Sequence, residues 1–227
     1  DRHVEGRVLM ANGKFHSAVR ALTAADEAQP RDGDILADLG LALLSTHSVS
    51  KAEKVLKDAL RRKRSPRAEE GMAKLLVRKR KWKDAAAAYS LAAKYAIRAK
   101  EPVKEVLRLY LTAGRTSLKD YKAKDKRYVR ARSYFRKAIK ADPSDPRPLF
   151  ELAAAWDRQE KFAQARVSYE AVLKVDAKHG RSLYQLGLLE YADGHDARAK
   201  ELLKAYLDMG AKGKRVRRAK SILRKLK

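Results

Sequence analysis

The sequence predicts an all-α fold, a solenoid of about six helix–turn–helix repeats closed by a C-terminal helix. Three observations predict it. Ala, Leu, Lys and Arg dominate the 227 residues while Thr, Ile and aromatics are sparse, which favours helix over sheet. Two phrases nearly repeat: "KFHSAVRAL" at Lys14–Leu22 and "KFAQARVSY" at Lys161–Tyr169 each place an aromatic, two spacers, an alanine and then apolar residues at helical spacing. The recurrence is also periodic. Ala18, Ala52, Ala85, Ala131, Ala165 and Ala199 are separated by 34, 33, 46, 34 and 34 residues, a period typical of stacked repeats that share one continuous core. A heptad coiled coil fits worse, because 34 is not a multiple of 7.

The units follow in order. The first (about 1–32) carries Phe15 and Ala18, and its first helix reads as clipped. The second (33–65) has Leu36, Leu39, Gly40 and Leu43 on one helical face, then Val49 and Ala52. The third (66–100) carries Trp82 and Ala85, with Trp82 read as core. The fourth (101–145) carries Tyr128 and Ala131; the 46-residue gap admits a long basic connection, "KDYKAKDKR" (119–127), and its first helix is hard to phase. "DPSDP" (142–146) stops one helix and starts the next, with Asp142 and Asp145 as turn and cap residues. In the fifth unit (146–179), Leu149, Leu152, Ala153 and Trp156 form a face, answered by Phe162, Ala165, Tyr169 and Val172. The sixth (180–212) has Leu183, Leu186, Gly187 and Ala199, with Asp196 in the aromatic's place. Gly40, Ala153 and Gly187 suit close helix crossings, where a larger side chain would hold the partner backbone off. The tail, 213–227, is an amphipathic basic helix with Val216, Ala219, Leu223 and Leu226 on one side, suited to capping the last apolar face.

This pattern resembles the tetratricopeptide repeat family over nearly the whole chain, from about Asp1 to Lys212. The fullest matches are Leu152, Ala153, Trp156, Ala165 and Tyr169, with Pro30 and Pro143 as helix-ending prolines. The first unit departs from it at Glu5, a usually apolar place. The resemblance implies a right-handed superhelix whose first helices line a concave face that binds extended peptides. It places Arg67, Lys74, Arg78, Arg147, Arg158 and Arg181 on that face, with Arg115 and Lys119 if the fourth unit is phased on Ala113 and Gly114, and with Tyr184 and Tyr191 in the sixth. The family's clamp for chaperone tails is not expected, since Leu41 and Leu188 stand where that pattern wants Asn.

Charge sharpens the expectation. The net charge is +26, and residues 61–141 alone carry 27 basic and 7 acidic side chains, an excess of +20. Residues 211–227 add nine basic and no acidic side chains. Such a block repels itself and suggests an anionic partner. The first expectation is a non-catalytic scaffold whose basic groove clamps a protein partner's acidic, extended segment. The alternative is a nucleic-acid-associated subunit that contacts phosphates through the block, and a third is an anionic membrane or envelope surface. The block fits either the concave or the convex face.

No small-molecule substrate, cofactor, metal or catalytic residue is expected. The chain has no cysteine, and its five histidines form no HExxH or other close ligand pair. His47, His179 and His195 fall near turns and read as solvated. Beginning at Asp1, the sequence reads as a processed or trimmed product; signal-peptide removal is one expectation, and cytoplasm and periplasm both stay open.

Overall fold

The computed structural model describes residues 1–30, 32–210 and 212–226, so the final residue of the basic tail lies outside the described residues. Among them every regular element is helical, and no helix is long and apolar enough to cross a membrane. Two compact units form, Asp1–Tyr134 and Phe135–Lys227.

The first unit contains α1 (Arg2–Ala11), α2 (Phe15–Ala28), α3 (Gly33–Ser45), α4 (Val49–Arg62), α5 (Pro66–Arg78), α6 (Trp82–Arg98) and α7 (Val103–Leu118). A 3-10 turn at Tyr121–Ala123 then leads into α8 (Asp125–Ala141), whose last residues belong to the second unit. The second unit continues with α9 (Pro146–Asp157), α10 (Phe162–Val175), α11 (Gly180–Ala192), α12 (Asp196–Asp208) and α13 (Lys214–Lys225).

Helix starts are written in the sequence. Asp32 and Asp145 accept hydrogen bonds from the first backbone N–H groups of α3 and α9, and Ser65 caps α5 ahead of Pro66. These side chains satisfy donors that have no partner inside the helix. His179 is not merely solvated. Its ring nitrogen accepts from the Ser182 N–H at the start of α11, and the ring packs 5.1 Å from that of Phe150.

Among the described residues, five turns end one helix on a residue in the left-handed region just before the next helix's N-cap. They are Gly13 (φ 72), His47 (φ 61), Arg80 (φ 55), Glu160 (φ 57) and Gly194 (φ 78). Glycine adopts this conformation without steric cost, whereas the other three carry a Cβ against the backbone.

In the first unit, Ala18, Leu22, Leu39, Leu43, Ala52, Leu56 and Leu75 make one buried cluster. Leu56 fills the space left by two glycines. A Cβ on Gly40 or on Gly71 would lie 2.5 Å from its Cδ2. From Ile35 to Leu44 every residue of α3 is buried. In the second unit, Phe150, Ala153, Ala165, Tyr169, Leu186, Leu203 and their neighbours cluster, and α13 contributes Ala219, Ile222 and Leu226. Phe162 departs from the apolar face read for it. It opens α10 and is 45% exposed, while Tyr169 and Val172 further along the helix are fully buried.

Candidate functional site

In the first unit, α1, α3 and α5 present side chains to three cavities that share Arg67. Asp38, on α3 and 1% exposed, lines one of them. Its Oδ1 accepts the Arg67 Nε–H from α5. Its Oδ2 lies 2.8 Å from His3 Nε2 of α1, and Arg7 Nε stands 3.9 Å from the same oxygen. Burial first, then Arg7, lowers the His3 pKa, and the ring donates its Nε2–H to the carboxylate. A buried carboxylate left unpaired would be costly; here cations and a ring N–H surround it.

Three cavities adjoin this pair, and Arg67 lines all of them. One of about 550 Å³ is bounded by His3, Arg7, Asp38, Arg67, Tyr95 and Glu101. A second of about 330 Å³ is walled by Met10, Leu41, Leu44, Glu70, Lys74 and Arg78. A third of about 490 Å³ lies beside Val4, Arg7, Val8 and Met10 of α1. Val4 and Val8 are 54% and 53% exposed, so the wall they form is apolar and open. The bond from Arg67 to Asp38 uses Nε. Its two Nη nitrogens make no hydrogen bond among the described residues, which leaves the bidentate edge of the guanidinium free.

The structure brings three of the sequence-predicted residues together: Arg67, Lys74 and Arg78 share the second cavity. They are not bare cations. Lys74 pairs with Glu70 at 3.0 Å, and Arg78 donates to His47 Nδ1 at 3.0 Å. Burial raises the Glu70 pKa, but Lys74 and Arg108 outweigh it and hold the carboxyl below its ordinary value. Arg115 is exposed on α7. Lys119 lines none of these cavities; its Nζ lies 5.5 Å from the Trp82 ring centroid.

In the second unit the predicted residues disperse. Arg147 grips Asp145, the cap of its own helix. Arg158 is exposed at the end of α9. Arg181 lays its guanidinium 4.2 Å from the Phe150 ring centroid. Tyr184 is a core residue, 5% exposed, packed 5.2 Å from the Tyr206 ring, and Tyr191 is half-buried against the same core.

Sequence reasoning missed His3, Arg7, Asp38 and Arg108. Arg108, on α7, donates to Glu70 at 2.8 Å and so joins the same network. One signal was available: Asp38 is a lone carboxylate inside the apolar run "ILADLGLALL".

Models of the tetratricopeptide repeat match residues 9–75 and residues 150–214, together more than half of the sequence. The chain belongs to the tetratricopeptide repeat family. Tetratricopeptide repeat proteins are generally non-catalytic scaffolds, and a protein-interaction role fits this chain's family and fold. Solved tetratricopeptide repeat structures share the fold. The C-terminal part of a repeat-containing protein from Cytophaga hutchinsonii is similar with a TM-score of 0.68 and 16% identity, over 91% of this chain and 78% of that one. PilF of Pseudomonas aeruginosa has a TM-score of 0.62 and 18% identity, over 92% and 95%. YrrB, described as a tetratricopeptide repeat protein with an unusual peptide-binding site, has a TM-score of 0.59 and 20% identity, over 84% and 92%. No curated protein matches the sequence.

Proposed function

We propose that this tetratricopeptide repeat chain is a scaffold that binds an extended, acidic segment of a partner protein along the first-helix face of its N-terminal unit. The observation that carries this reading is Arg67. It is anchored through Nε on a buried carboxylate and lines all three cavities. A guanidinium fixed in this way loses little freedom when it accepts a carboxylate on its remaining edge. Arg7, Lys74 and Arg78 stand around it, and Val4, Val8, Met10 and Leu44 supply apolar contact between the charges. Partner aliphatic side chains next to Asp or Glu suit that alternation. YrrB, of the same fold, binds peptide by its description, which supports the mode but not the sequence of any ligand. In the C-terminal unit, the exposed Arg158 and Arg181 are proposed to add further contacts to acidic groups.

Panning a random peptide display library against the full chain tests the reading. Selected peptides should be enriched in Asp and Glu beside Val or Leu. They should lose binding to a Lys74→Glu, Arg78→Glu double variant that keeps its helical circular dichroism. Selection without acidic enrichment, or selection that the double variant leaves unchanged, would overturn it.

A further inference from the structure

Much of the basic excess of residues 61–141 lies away from the first-helix cavities, on one edge of the N-terminal unit. There the α5–α6 turn and the α7–α8 connection meet, joined by Lys119 over Trp82. Arg80, Lys81 and Lys83 of the turn are exposed, and so are Lys122, Lys124 and Lys126 of the connection. Carboxylates are fewer than cations in both segments. Asp120 is taken up by Arg130 at 2.6 Å, and Asp84 and Asp125 are the other carboxylates of the two segments.

Among these lysines stands Tyr121, 76% exposed. Its ring is braced. The Arg127 guanidinium lies 4.5 Å from the Tyr121 centroid and 4.7 Å from that of Tyr128, and its Nη2 donates to the Tyr128 hydroxyl at 3.0 Å. Tyr121 therefore offers solvent a fixed aromatic surface inside a field of cations.

We propose that this edge binds single-stranded nucleic acid, with Tyr121 stacking on a base and Arg80, Lys81, Lys122, Lys124 and Lys126 contacting the phosphates. The ring decides between anionic partners. An acidic peptide would use the lysines and ignore the ring. A duplex keeps its base faces inside the stack. A single strand presents both phosphates and open base faces, and basic grooves with aromatic platforms bind it with little sequence preference. None of these residues lines a first-helix cavity, so on this proposal one chain holds a protein and a nucleic acid through different side chains.

The test is fluorescence anisotropy of a labelled oligouridylate of roughly 12 nucleotides with the full chain across a salt series. Binding should weaken linearly in log–log form, with a slope of about −0.7 for each phosphate neutralised. Tyr121→Ala should lower affinity about fivefold or more, the loss of one stacked base, with the salt slope unchanged. Lys122→Glu, Lys124→Glu and Lys126→Glu combined should flatten the slope, whereas Arg7→Glu, in the first-helix cavities, should leave binding as it was. Absence of binding at about 50 mM salt would overturn the proposal. So would an affinity indifferent to Tyr121→Ala, because the edge would then be a general polyanion surface. Equal or tighter binding of polyglutamate or of phosphatidylserine vesicles, unaffected by Tyr121→Ala, would overturn it in favour of a peptide or membrane partner.

Discussion

Arg67 and Asp38 form an ion pair between α5 and α3 in which the two sides are unequally wet: the Asp38 side chain is 1% exposed, the Arg67 side chain 41%. Removing the guanidinium leaves a buried charge, while removing the more distant Arg7 does not. Arg67→Ala should therefore destabilise the N-terminal unit by about 2 kcal/mol or more, and Arg7→Ala by less than about 1 kcal/mol. Urea denaturation of the two variants measures the difference; equal losses would show that Asp38 does not depend on Arg67.

Leu56 occupies the room left by Gly40 and Gly71. Gly40→Ala should cost about 1–3 kcal/mol by overpacking. In a Leu56→Ala background, itself costing about 2–5 kcal/mol, the same substitution should be nearly neutral. A thermodynamic cycle reads that coupling directly. Additive losses would mean that Gly40 is needed for some reason other than Leu56.

Arg80 holds a left-handed backbone conformation where the equivalent turns use Gly13 and Gly194. Arg80→Gly should raise stability by up to about 1 kcal/mol, the relief of Cβ strain set against a more flexible unfolded chain. If the edge of the N-terminal unit binds nucleic acid, the same substitution should weaken that binding. The thermal midpoint and the anisotropy titration should move in opposite directions.

Hydrogen bonds from Lys79 and Lys57 hold the Glu53 carboxyl at about 2, against an ordinary value of 4.5. A depressed folded-state pKa means stability that is fully present above the unfolded value and lost as pH falls towards the folded one. The wild type should therefore lose stability between about pH 4.5 and pH 2 by more than Glu53→Gln does. Urea midpoints across that range test this, and parallel curves would refute it.

The helical pairs were legible because a packed repeat must return the same small and aromatic residues at the same phase. Gly40 was readable as a close approach for that reason, and the spacing of Arg67, Lys74 and Arg78 along one helix already set them on one side. Asp38 was not readable as their anchor. It lies 29 residues from Arg67, and no local pattern says which cation will pack above a carboxylate on another helix. His3 and Arg7 were hidden for the same cause. Tyr184 shows the opposite failure: its place in the repeat suggested a groove, but packing on Tyr206 turned the ring into the core. Tyr121 belongs to the inserted connection, which has no phase to be read.

In α3 every residue from Ile35 to Leu44 is buried. Most repeat helices keep a wet side and can fray outward, one neighbour at a time. This one exposes no side chain along that stretch. Its amide protons are released only when α1, α2, α4 and α5 part around it, so their exchange clock should run at the rate of whole-unit opening, while the flanking helices keep faster local time.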